Sequence, residues 1–354
     1  MRFTAKLTAL ALSALMMLSV AGCSRADTWW AFESEGEQMP VGVFIRYMLD
    51  AYREAEEIYM EDSDEVFFAH PDQRDVLRHT IEGRPAGSWV TDRAVVHVLR
   101  HYGTAYMYSQ MGLSMSQSEI DAVEASIQDV WNIVSEFYES NGISRNSLEW
   151  YFWNQMMRQQ LFFELYGPGG DFEVPESEVL AAFASENFGA RFILVPKDQE
   201  GEEDEIAELA AQSLERLNAG EPLNVVEFDV RQVVMPPEFE IALGDSDINT
   251  MILPYHELEF LGHFGDAIQA APTDSFIMVE GEREFFIVRR LDLAGNAEYM
   301  GDNWGSVLFN LKFDEFLDKL EEWGEAVGPT ANQEALRRYT VDRLNTDITS
   351  FLQA

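Results

Sequence analysis

Six histidines and one cysteine are the side chains of this 354-residue chain best suited to proton transfer, metal ligation or nucleophilic attack. His97 and His101 stand four apart in a stretch of helical periodicity, so both imidazoles fall on one face. A zinc-protease helix requires a glutamate directly after the first histidine, and Val98 occupies that place. His256 and His263, in "PYHELEFLGHF", lie beside Glu257 and Glu259, but at a spacing that matches no familiar metal pattern. Both pairs read as structural or surface residues, and no metal or cofactor is expected. No Gly-x-Ser-x-Gly elbow and no Ser-x-x-Lys pair in a workable context supports hydrolase chemistry. No glycine-rich loop of the kind that cradles phosphates is present. The acidic run Glu202, Glu203, Asp204 and Glu205 reads as a solvated helix start, favourable to the helix dipole.

Composition narrows the partners further. Lys and Arg number 24 against 63 Asp and Glu, a formal net charge of −39. So acidic a surface repels phosphate backbones, which excludes nucleic acid as a partner. With 47% hydrophobic and 12% aromatic residues, the chain has material for packed cores in two or three domains. At the N-terminus, Arg2 and Lys6 precede an apolar stretch, Leu7 to Val20, too short for a comfortable membrane span. It ends "LSVAGC", Leu18 to Cys23, which resembles a bacterial lipobox. Cys23, the only cysteine, is the expected lipidation site, with residues 1–22 a signal peptide and 23–28 a tether. Two or more acyl chains there would hold the protein outside the cytoplasm on the bacterial cell membrane.

The elements that position any site follow from periodicity. A short strand, a turn over Gly36 and a helix opening near Pro40 come first, with Phe44, Met48, Ala51, Tyr52, Ala55 and Tyr59 on one helical face. A loop-rich connection carries Gly83, Pro85 and Gly87. From Trp89 to Tyr166 the pattern is helical, broken at "GLSMSQSEI", where Ser116 and Glu119 have capping-box spacing, and again at "NGIS". "GPGG", 167–170, ends this run, and "VPESEV" opens a short helix to about Ser185. At Gly189 the texture changes. "RFILV" is a strand, and "EIAELAAQSLERLNAG" a helix stopped by Gly220. Extended segments are expected around Val225–Val234, then a hairpin over Glu280–Arg283. Trp304 to Trp323 is helical again, and Pro329 separates a last polar helix running to Ala354.

This order resembles extracytoplasmic foldases of the SurA and PrsA type. The stretches that carry the resemblance are "FESEGEQMPVGVF" before the first helix, "VPESEVLAAFASEN" as a linker, "ARFILV" as a first strand, "LERLNAG" as a helix end, and "EREFFIVRRLDL" as a last strand. The resemblance implies an α+β multidomain fold, a mainly helical chaperone domain with an inserted parvulin-like α+β domain. On it, 29–188 form the chaperone domain, 189–293 the parvulin-like domain, 294–327 a return helix packing on the chaperone domain, and 328–354 a C-terminal helical extension. Active parvulins carry a histidine in the first and in the last strand of the domain. Those places hold Phe192 and Phe286 here, and phenylalanine neither donates nor accepts the hydrogen bonds of that network. No catalytic residue is therefore assigned, and prolyl isomerase activity is expected to be weak or absent.

One stretch offers a binding surface. Trp150, Phe152, Trp153, Met156, Met157, Phe162 and Phe163 cover more than one face of a helix. Such a helix is either buried on all sides or lines a cleft in which methionine and flat aromatics accommodate many apolar segments. On the second alternative these seven residues are client-binding candidates. The expected function is then a membrane-tethered foldase or holdase whose partners are unfolded or partly folded secreted polypeptides. An active isomerase with a diverged pocket and a non-catalytic envelope scaffold are the alternatives.

Overall fold

The computed structural model describes residues 29–63, 70–197, 203–235, 242–244 and 249–348. The expected signal segment and lipidation site, Cys23, lie outside them. The described residues divide into two compact units, one made of those up to 172 together with those from 313 onward, the other of those from 173 to 312. The fold is α+β and helix-rich.

In the first unit, strands β1 (Trp30–Ser34) and β2 (Glu37–Pro40) pair antiparallel around a turn in which Glu35 and Gly36 take positive φ of 53° and 86°. Glycine suits that turn because it has no Cβ to clash. Helix α1 (Val41–Asp62) begins directly after Pro40 and is buried at every residue from Val41 to Leu49. Farther along, Ala51, Tyr52 and Ala55 keep the expected stripe inside, while Tyr59 is only partly covered. The loop-rich connection contains a short helix, α2 (Gln73–Arg78), and a tight two-stranded hairpin of β3 (Thr80–Ile81) and β4 (Arg84–Pro85).

Three long helices complete the body: α3 (Ala86–Gln110), α4 (Gln117–Ser140) and α5 (Arg145–Tyr166). Ser116 and Glu119 do form a reciprocal capping box at the start of α4, satisfying two backbone N–H groups that the helix leaves unpaired. The sequence from Trp304 folds as one helix, whose residues from Phe313 onward belong to this unit. Its Gly324 touches Leu99 of α3, and Gly103 of α3 touches Leu320. A Cβ at either glycine would strike a carbonyl oxygen, so two backbones approach here as only glycine permits.

The expected last helix to Ala354 is corrected. Thr330–Ala331 is instead a strand that pairs with the free edge of β1, Phe32 opposite Ala331 and Glu33 opposite Thr330. A helix of only six residues follows, Gln333–Arg338, capped by Asn332, whose side chain accepts from the N–H groups of Glu334 and Ala335. Beyond it Val341–Arg343 makes one turn of 3-10 helix, and Asn141 donates to the Asn345 carbonyl at 2.9 Å and accepts from its N–H at 2.8 Å; residues 349–354 lie outside the described residues. The open strand edge supplies hydrogen bonds that a polar, β-branched segment cannot match by continuing as a solvated helix.

The second unit is built on a four-stranded antiparallel sheet. In spatial order it contains β6 (Thr250–Pro254), β5 (Asn187–Pro196), β8 (Glu284–Arg290) and β7 (Ile277–Glu280). One sheet face carries Ile193, Val195, Phe285 and Ile287 against helix α7 (Glu203–Asn218) and helix α8 (Leu223–Val234). The other carries Phe188, Ala190, Phe286 and Val288 against helix α9 (His263–Ala270). Helix α8 corrects the expected extended segment at Val225–Val234. Its valines suggested a strand, but Leu223, Val226 and Val230 bury one helical face behind Pro222, and that periodicity overrides β-propensity. The short helix α6 (Glu176–Glu186), read from sequence as a linker ahead of residue 189, packs against β5 and falls in this unit.

Candidate functional site

Phe192 and Phe286, to which the resemblance assigns the places of histidines, lie near each other. Pairing of β5 with β8 sets Phe192 opposite Val288 and Leu194 opposite Phe286, so both phenylalanines lie on one sheet face. Phe264 of α9 sits between them. Its ring centroid is 4.8 Å from that of Phe192, edge to face, and 5.1 Å from that of Phe286, stacked. Phe286 is buried and Phe192 half-buried, while Leu194 beside them is exposed. This cluster is apolar throughout and holds no group able to transfer a proton. His256 and His263 are both exposed, and the nearest acid to His263 is Asp266 at 3.8 Å. Among the described residues no group of three His, Cys, Asp or Glu side chains is placed to hold a metal ion.

The concave site lies in the helical unit. A cavity of about 260 Å³ opens between α3 and α5, lined by Trp150, Trp153, Asn154 and Met157 of α5, His101, Tyr102 and Ala105 of α3, and Glu37 of β2. The α5 residues fall at positions i, i+3, i+4 and i+7, one helical face. Trp150 lies parallel to the His101 ring at 6.2 Å and 9°. The depth of the cavity is polar but closed on itself. Nδ1 of His101 is hydrogen-bonded to the Tyr47 hydroxyl at 2.9 Å, and Asn154 donates to the His101 carbonyl at 3.0 Å.

Burial, with the positive charge of Arg158 nearby, pushes the His101 pKa down to about 3, so this imidazole is neutral at physiological pH. Arg158 is itself buried, and reaches Asn154 Oδ1 at 3.5 Å. His97, the other member of the pair, lies 2.8 Å from Glu54, which also accepts from Arg93 at 2.5 Å. The shared histidine face predicted from spacing is real, and both imidazoles are held by neighbouring side chains.

Of the seven aromatic and methionine candidates, the structure brings Trp150, Trp153 and Met157 to the cavity wall. Phe152 packs against the main core. Met156 and Phe163 are half-buried and do not line the cavity. Phe162 is a correction: it is fully buried, its ring 5.1 Å from Tyr166 and 5.4 Å from Phe316, and no client can reach it. Helix α5 is thus neither buried all round nor open all round. Its most buried face also carries Asn154 and Arg158, polar residues set four apart that the sequence reading did not single out, though that spacing was the signal that could have found a lined interior. Tyr102, Ala105 and Glu37 carried no such signal.

No protein-family model matches this chain, and no curated protein matches it. Among solved structures it is similar to the foldase protein PrsA from Streptococcus pneumoniae str. Canada MDR_19A, at 12% identity and a TM-score of 0.31, covering 75% of this chain and 99% of that one. PrsA from Lactococcus lactis overlaps at 10% identity and 0.31, covering 88% and 99%. PrsA from Bacillus subtilis overlaps at 12% and 0.27, covering 68% and 84%. Likenesses of this size establish neither a shared fold nor a shared activity.

Proposed function

We propose that this protein is a membrane-tethered extracytoplasmic holdase or foldase that binds non-native secreted polypeptides and has weak or no prolyl isomerase activity. The observation that carries the reading is the aromatic and methionine wall of the α3–α5 cavity. Two indoles, a phenol, a thioether and an alanine offer apolar contact of adaptable shape, and flexible Met with flat rings accepts many sequences. Its one buried histidine is neutral and already hydrogen-bonded, which supports a binding role for the cavity. The net charge of −39 keeps a client-loaded protein soluble. Tethering through Cys23 rests on the lipobox-like "LSVAGC".

Replacement of both expected histidines by an interlocked Phe192–Phe264–Phe286 cluster supports the low catalytic expectation. The test is aggregation of a denatured model protein with stoichiometric amounts of the mature chain. Suppression is expected, and its absence from a folded preparation would sink the reading. A protease-coupled prolyl assay is expected to give the uncatalysed rate.

A further inference from the structure

The Trp153 indole belongs to two cavities at once. One is the apolar cavity already described. The other is a second cavity, of about 230 Å³, lined by Glu124, Ile127, Arg145, Glu149 and Trp153. Its chemistry is the reverse of the first. Glu149 is paired with Arg145 at 3.3 Å, and the Glu124 carboxylate is exposed and in no ion pair among the described residues. Glu37, at the first cavity, is likewise exposed and without an ion pair among them. Around one indole there are thus three carboxylates and one guanidinium, and that guanidinium is already engaged. Behind the first cavity stands the buried cation Arg158, which disfavours a second positive charge there. An incoming cation is therefore directed to the Glu124 cavity, whose unpaired carboxylate attracts it.

We propose that the two cavities form one bipartite site for an extended polypeptide, with an apolar side chain in the Trp150–Met157 cavity and a Lys or Arg side chain in the Glu124–Glu149 cavity. Alternate side chains of an extended chain point the same way about 6.6 Å apart, which suits two pockets sharing one wall. The preferred client segment is then apolar-x-basic. This rests on the holdase reading and narrows it to a class of sequence.

The test measures binding of the full mature chain to short labelled peptides that differ at one place: Phe-x-Lys, Phe-x-Ser and Phe-x-Glu in an otherwise fixed polar frame. Phe-x-Lys is expected to bind about fivefold more tightly than Phe-x-Glu at low salt, with the gap closing as salt is raised. Glu124→Gln is expected to remove most of that preference while leaving Phe-x-Ser affinity unchanged. That variant alters one charge in a net of −39, so general attraction of basic peptides is retained. A preference that survives Glu124→Gln overturns the bipartite site and assigns the effect to overall charge. Equal affinities for all three peptides overturn it as well, and leave the holdase reading standing. No binding by any peptide, with no suppression of aggregation, overturns both.

Discussion

At the scale of single residues, His101 ties the cavity to pH. Its pKa is about 3 in the fold against an ordinary 6.5, so between those values the unfolded chain takes up a proton that the native state refuses. Stability is therefore fully present above about pH 6.5 and falls as pH drops, at up to ~1.4 kcal/mol per unit from this group. Urea unfolding of the His101→Gln variant is expected to show a flatter dependence from about pH 6.5 to 5, above the range where carboxylates titrate. An unchanged slope would remove His101 from the account. The client wall gives a second prediction at this scale. Trp153→Ala is expected to lower suppression of aggregation severalfold while leaving the circular dichroism spectrum unchanged, because the residue is half-buried and lines open space. Phe286→Ala has the opposite character. It empties a buried site beside Phe264 and Val288, so a loss of ~3–5 kcal/mol is expected in the second unit, with client binding retained.

At the scale of elements, the sharpest constraint is the crossing of α3 with the residue 313–327 part of the helix that begins at Trp304. Gly103 and Gly324 face carbonyl oxygens of Leu320 and Leu99, backbone atoms that cannot swing aside as a side chain would. Gly103→Ala is expected to cost at least ~1–3 kcal/mol by thermal or urea unfolding; Ser116→Ala, which breaks the capping box, about 1 kcal/mol. A Gly103→Ala protein as stable as the wild type would show that the two helices are free to part. Most elements were legible before folding was considered. The capping box at Ser116, the turn over Gly36 and the hairpin at Glu280–Arg283 are each written in local residue types at fixed spacing, which is all that such features require. Where the reading failed, a non-local term decided. Leu223–Val234 is helical because its leucine and valines bury a helical face against the sheet, and Thr330–Ala331 is a strand because β1 leaves an edge unpaired.

At the scale of the whole molecule, the 173–312 unit carries its own sheet with apolar cores on both faces. A fragment of those residues is expected to unfold cooperatively by itself, and calorimetry of the isolated fragment checks this. Since the proposed client cavity belongs wholly to the other unit, that fragment is expected not to suppress aggregation. Suppression by the fragment alone would move the client site to the exposed apolar face around Leu194 and Phe192. The acidic balance belongs to this scale too, because it acts through the summed field and not through any one pair.

What the sequence determined by itself is the charge, the order of most elements and the apolar stripe of each. It also put Phe192 and Phe286 in two runs of strand character. Tertiary structure alone decided that Phe264 would join Phe192 to Phe286, that Phe162 would vanish into the core, and that Trp150, Trp153 and Met157 would face a cavity. The reason is physical. Periodicity says which residues share a face of a helix or strand, but whether that face meets a neighbour, a void or water depends on contacts between residues far apart in the chain.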